Sequence, residues 1–139
     1  MLVYGREGTG DMARSYEQLC PIARTLDLIG ERWTVLILRQ LYFGDTRFSQ
    51  LLQNLPGIPA TVLSDRLKKL EEHGLTERAV YSEHPLRAEY RLTAKGESLQ
   101  PVLGALAAWG MEHCMSSREV GVMKRALPEK ILASLGLDS

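Results

Sequence analysis

Cysteine is nearly absent: Cys20 and Cys114 are the two thiols in 139 residues. They are too few for a disulfide framework and are not spaced as a zinc site. Long apolar runs are missing too, since stretches such as Val35 to Leu38 fall far short of the ~18 residues of a membrane span. No basic-then-apolar signal opens the chain, so the cytoplasm is the expected compartment. Net charge is zero, with 17 Lys and Arg against 17 Asp and Glu. A strongly basic balance would point to nucleic acid by itself; here any basic face must be balanced by acid elsewhere. There is no Gly-rich phosphate loop, nucleophile elbow or HExxH-like pair. His73, His84 and His113 are scattered, and His113-Cys114 is too little for a metal site. The sequence therefore predicts no enzyme, no cofactor and no metal. It also lacks internal repeats and low-complexity segments.

What remains is ordinary for a soluble domain: 45% hydrophobic and 24% charged residues. The length suits one domain with a sizeable core. Residues 1–15, with Gly5, Gly8 and Gly10, carry no period and read as a mobile leader, in which Met12 offers an alternative start. Residues 16–115 read as the main domain and 116–139 as a helical tail split at Pro128. Pro21 suits a first helical turn, Ile22, Leu26 and Ile29 follow at helical spacing, and Gly30 is a stop. A second helix, 31–42, is apolar over most of its circumference through Trp33, Val35, Leu36, Ile37, Leu38 and Leu41, which predicts a central, buried position.

Gly44-Asp45-Thr46 breaks the pattern, and Thr46 is a good N-cap for a short helix over 47–54 burying Phe48, Leu51 and Leu52. Pro56-Gly57 marks a turn. A helix over 59–73 places Leu63, Leu67 and Leu70 on one face, and Gly74 is a left-handed stop. The period then drops to two over 76–82 and 88–92, with 83–87 as the hairpin loop. Thr93 caps a last long helix reaching Met115, whose stripe is Leu99, Val102, Leu103, Leu106 and Trp109.

Two helices joined by a tight turn, followed by a β-hairpin, form the layout of a winged helix-turn-helix. The fold class is thus mainly α with a small β-hairpin wing, flanked by extra N- and C-terminal helices. The physics of that layout is specific, because the DNA major groove is about 12 Å wide and admits one helix. The helix over 59–73 would insert while its predecessor crosses the backbone. With its leucines toward the core, its outer face carries Thr61, Asp65, Lys68 and Glu72, flanked by Ser64 and Lys69. Thr61, Ser64 and Lys68 suit base edges or phosphates, and Asp65 could accept from a cytosine amine. Arg87 in the hairpin loop and Arg47 at a helix start are the candidate phosphate contacts. Arg66 lies toward the core edge and suits a structural ion pair. From Thr61 to Lys95 seven basic residues face six acidic ones, so the phosphate attraction is modest unless a dimer doubles it. The same outer face also fits a merely solvated surface.

The chain resembles the HxlR-type winged-helix transcriptional regulators in an ordered series of motifs. These are Cys20-Pro21, Leu26-Asp27-Leu28-Ile29-Gly30, Arg32-Trp33-Thr34, Arg47-Phe48-Ser49-Gln50-Leu51 and Pro56-Gly57-Ile58. They continue with Leu63 through Leu70, Gly74-Leu75, Glu89-Tyr90-Arg91-Leu92-Thr93 and Lys95-Gly96. Glu31, the single proline of His84-Pro85-Leu86, and Ala88 depart from the pattern. The resemblance implies a bacterial or archaeal homodimer that binds double-stranded DNA at a near-palindromic operator, as repressor or activator. It also implies dimerisation through terminal helices, which the stripe Leu99, Val102, Leu103, Leu106 and Trp109 would serve together with the core. Several family members sense oxidants or electrophiles through a cysteine at the position of Cys20. A thiol at a helix N-terminus has its thiolate stabilised, and Arg24 one turn later could add to that. A small buried apolar residue is the alternative, and Cys114 is a weaker redox candidate. Two other readings stand beside this one. One is a winged helix used for protein contact. The other is a regulator taking a small-molecule effector in a pocket lined by Trp33, Tyr42, Trp109 and Met111. A contiguous basic strip linking Arg47, Lys68, Lys69 and Arg87 would favour DNA over protein.

Overall fold

Leucine spacing decides how the chain collapses. The computed structural model describes residues 15–138, so the leader reading over 1–15, apart from Ser15, and the alternative start at Met12 lie outside the described residues. Helix α1 (Pro21–Ile29) is followed by α2 (Thr34–Tyr42), α3 (Phe48–Asn54) and α4 (Ala60–Glu72). An antiparallel hairpin, β1 (Thr76–Glu83) and β2 (Leu86–Leu92), then leads to α5 (Ala94–Glu97), α6 (Gln100–His113), α7 (Ser117–Ala126) and α8 (Glu129–Ser134). Ile37 and Leu38 of α2, Leu51 of α3 and Leu63, Leu67 and Leu70 of α4 are all at most 1% exposed and form the centre of the core. Leu55, Ile58, Leu75 and Leu103 close it. This is a winged helix-turn-helix, with the hairpin packed against α2, α3 and α4.

Several boundaries differ from the periodic reading, each for a local reason. Helix α2 starts at Thr34, because Trp33 sits at φ +82° in the left-handed region and cannot continue a helix. Its indole lies against Gly57, itself at φ +92°, so the turn before α4 and the entry to α2 are packed together. Helix α3 starts at Phe48 with Arg47 as N-cap, and the Gln50 carboxamide accepts the free N–H groups of both Thr46 and Arg47 at 3.0 Å. Leu36 and Leu52 remain 38% and 37% exposed, so neither enters the core as expected.

The last long helix is two helices. Thr93 does cap α5, accepting from the Gly96 N–H at 3.1 Å, but the chain turns at Ser98 and Leu99 before α6. Pro101 explains the break: it lacks an N–H, and its ring would clash with the carbonyl four residues back. The hairpin turn is also tighter than the expected 83–87 loop, because Glu83 pairs with Leu86 and Ser82 with Arg87. Downstream, α7 and α8 flank Pro128, and the Ser116 and Glu119 capping box starts α7. Donation from the Ser116 backbone N–H and hydroxyl holds the Glu119 carboxyl below its usual range. Among the described residues, no helix is long and apolar enough to cross a membrane.

Candidate nucleic-acid interface

Helix α4 is two-faced. Leu63, Leu67 and Leu70 anchor it in the core, which fixes its rotation and turns Thr61, Ser64, Asp65, Lys68 and Glu72 to solvent. The α3–α4 turn at Pro56-Gly57 sets its approach, and the Ile58 N–H donates to the Leu55 carbonyl at 3.1 Å. Gly74, at φ +74°, ends it and sends the chain into β1. Arg78 on β1 lies 3.9 Å from Glu71, and Lys95 donates to the His73 carbonyl at 2.8 Å, so the far end of α4 is tied to the wing and to α5.

The sequence-predicted contacts fall into two groups. Thr61, Ser64 and Lys68 are exposed on one face of α4, and Lys68 has no ion pair among the described residues. Arg47 and Arg87 belong to the wing side. Arg87 is exposed and lies in β2 beside the turn rather than in a loop. The Arg47 guanidinium lies 5.3 Å from the centroid of the Tyr81 ring. Asp65 and Lys69 are engaged elsewhere, in a network centred on Glu31 of the α1–α2 connection. Arg66 reaches Glu31 at 2.9 Å and Asp65 at 2.5 Å, while Lys69 reaches Glu31 at 3.1 Å and Asp65 at 3.4 Å. Partial desolvation would push the Asp65 carboxyl up, but the charges and hydrogen bonds of Lys69 and Arg66 outweigh it and hold it below the usual carboxylate range. Lys69 thus faces the α1 side, and the strip of Arg47, Lys68, Lys69 and Arg87 is interrupted there.

Cys20 is the half-buried N-cap of α1, between exposed Leu19 and Ile22. Arg24 points back to the chain before it, donating from Nε to the Gln18 carbonyl at 3.2 Å. Cys114, the C-cap of α6, is exposed. The stripe on α6 divides: Leu99 and Leu103 pack on the core, whereas Val102, Leu106 and Trp109 are 38%, 54% and 62% exposed. Tyr16, Leu19, Ile22 and Leu26 on and before α1 are also 40% exposed or more. Sequence periodicity missed this second apolar row, because Ile22, Leu26 and Ile29 share a helical spacing but Ile29 and Ala23 face the core.

Of the four residues expected to line an effector pocket, Trp33 and Tyr42 pack against the core, and Trp109 lies at the surface tilted against His113, 4.7 Å between ring centroids. The Tyr42 hydroxyl donates to the Gly96 carbonyl, and burial, with the Glu97 charge, pushes its pKa up to about 12. A different cavity of about 270 Å³ lies between α2, α6 and the C-terminal helices, walled by Val35, Leu36, Leu103, Met123, Leu127 and Leu135. Arg39 borders it, with its pKa lowered by burial.

The model of the HxlR-like helix-turn-helix family matches residues 28–118. The chain belongs to that family. It carries the helix-turn-helix DNA-binding fold of a transcriptional regulator, which is not an enzyme class. It is 46% identical to a helix-turn-helix-type transcriptional regulator of Synechocystis over 68% of this chain and 70% of that one. Identity is 51% to one of Mycobacterium tuberculosis, over 66% of this chain and 58% of that longer protein. Among solved structures, the redox regulator HypR in its oxidised form superposes with a TM-score of 0.63 at 33% identity, covering 68% of this chain and 97% of that one. The HxlR-like match ends at residue 118, so most of α7 and all of α8 lie beyond it.

Proposed function

We propose that this HxlR-like protein is a sequence-specific DNA-binding regulator that acts as a homodimer on a near-palindromic operator. The observation that carries this reading is the fixed rotation of α4, which buries three leucines and presents Thr61, Ser64 and Lys68. Those side chains would meet base edges and phosphates in the major groove, with Arg47 and Arg87 on the flanking backbone. Asp65 and Lys69 flank this set, held by the Glu31 network on the side toward α1. A two-fold dimer doubles the modest positive excess of residues 61–95 and sets the two α4 helices about one DNA turn, ~34 Å, apart.

The exposed rows Leu19, Ile22, Leu26 and Val102, Leu106, Trp109 supply the dimer surface, since clustered large apolar side chains left open to solvent mark interfaces. Cys20 lies within the first row, so oxidation or alkylation there would alter packing between protomers and the spacing of the α4 helices. HypR is a redox regulator, which favours this reading over a merely packed thiol. The cavity beside α6 favours a second mode of control, by a small apolar effector.

The test is anisotropy of a labelled duplex from upstream of its own gene, titrated with reduced protein across a salt series and repeated after diamide. Saturable binding that outcompetes random DNA and weakens with salt supports the operator reading. A diamide effect that disappears in Cys20→Ser supports the sensor. Absence of binding to any duplex at low salt sinks the DNA reading and leaves the winged helix as a protein-contact module.

A further inference from the structure

The hairpin has one irregularity. Val80 pairs with Ala88 and Ser82 with Arg87, which leaves Tyr81 without a partner residue. A bulge of this kind bends the strand and re-aims a side chain. The ring of Tyr81, 47% exposed, lies against the Arg47 guanidinium at the start of α3. A backbone bond joins the same two regions independently, as the Tyr90 N–H donates to the Thr46 carbonyl at 2.7 Å. Arg87 sits across the ladder from Ser82, directly beside the bulge. Neither Arg47 nor Arg87 has a carboxylate partner among the described residues, whereas the neighbouring Glu89 is engaged by Arg91 at 3.3 Å.

The chemistry of the contact matters. A carboxylate would occupy the donors of a guanidinium, but a ring attracts the cation without accepting those hydrogen bonds. Arg47 is therefore restrained while its N–H fork stays available, which lowers the ordering cost of gripping a phosphate.

We propose that Tyr81 is a positioning residue for DNA binding: its ring holds Arg47 in place, so that Arg47 and Arg87 together seat one stretch of phosphate backbone beside the groove that α4 enters. This rests on the DNA-binding reading above. The bulge is the structural device, since it brings the ring to Arg47, and the wing and the start of α3 then engage DNA as one unit.

A double-mutant cycle tests it, using full-length protein, the upstream duplex and a random duplex of equal length. Arg47→Ala should reduce the salt slope of binding by about 0.9 for each phosphate that is no longer neutralised. Tyr81→Ala and Tyr81→Leu should each weaken binding about two- to fivefold, the fold-change of an exposed cation–π pair. Both should reduce the slope, while Tyr81→Phe binds as the wild type does. The Arg47→Ala/Tyr81→Ala double variant should bind no more weakly than Arg47→Ala. Urea melts accompany each variant, and Tyr81→Leu keeps apolar bulk on the wing should Tyr81→Ala unfold it. Losses that add in the double variant, or Tyr81→Leu binding with wild-type affinity and slope, overturn the proposal alone. A wild-type protein that binds neither duplex overturns it together with the DNA reading.

Discussion

One substitution should have opposite signs at two positions of α6. Replacing Gly104 with alanine puts a Cβ 2.3 Å from the Leu135 carbonyl oxygen and 3.2 Å from its carbon, both backbone atoms at the end of α8. Restoring ordinary contact requires α8 to retreat by about 1 Å, and a gap of that size forfeits a quarter to a half of each dispersion contact along it. Leu132 and Leu137, buried to 8% and 5% exposure, are the side chains that would loosen. Overpacking of this kind costs about 1–3 kcal/mol, offset by about 1 kcal/mol of helix propensity gained on leaving glycine. Because the clash is with backbone atoms that cannot swing aside, the upper part of that range, about 2–3 kcal/mol, applies, and the net expectation is a loss of about 1–2 kcal/mol. At Gly110 nothing lies within 4 Å of the added Cβ, so Gly110→Ala should gain about 0.5–1 kcal/mol. Urea unfolding at fixed protein concentration measures both. Limited proteolysis should release the tail faster from Gly104→Ala and at an unchanged rate from Gly110→Ala. A Gly104→Ala protein as stable as the wild type would refute the packing of α8 on α6.

Tyr42→Phe should cost about 1 kcal/mol at neutral pH through removal of the hydrogen bond to Gly96. Because the folded pKa of Tyr42 is raised from 10 to about 12, its contribution is fully present below pH 10 and is lost as pH rises through 12. The advantage of wild type over Phe should therefore shrink across that range in urea melts, and a constant difference would contradict the assignment. Glu31→Gln removes the negative charge shared by Arg66 and Lys69 but leaves Asp65 to both. Partly exposed pairs contribute little, so a loss of about 1 kcal/mol or less, diminishing with added salt, is expected from the same melts. Trp109→Glu should leave a folded protein that light scattering reports as a monomer, because Trp109 is exposed in the single chain. A Trp109→Glu dimer of wild-type affinity would move the interface elsewhere.

Periodicity located the elements wherever one apolar face meets one core. Helix α4 is the clear case, since Leu63, Leu67 and Leu70 determine both its burial and its outward residues. The Pro21 and Gly30 limits of α1 were legible for the same reason; the hairpin was located too, although burial along β1 does not alternate. Patterns failed where a face meets nothing within one chain: Ile22 and Leu26 have core spacing but stand at the surface. They also failed at features set by backbone and distant partners. The left-handed Trp33 delays α2 and the break before Pro101 divides the last helix, while the bulge at Tyr81 depends on register with β2. Among candidate contacts, helical geometry put Lys68 on the outer face of α4 and Lys69 on its flank. The tertiary placement of Glu31, which pattern does not show, draws Lys69 toward α1.

On the proposed reading, two copies of this chain present their α4 helices to one face of DNA. Hydroxyl-radical footprinting on the upstream region, with reduced protein at low salt, tests it most directly. Two protected patches of backbone are expected, related by a dyad and centred about one helical turn, ~34 Å, apart. Lys68→Ala should weaken both patches equally. Protection confined to one half-site, or none on any sequence, would contradict it.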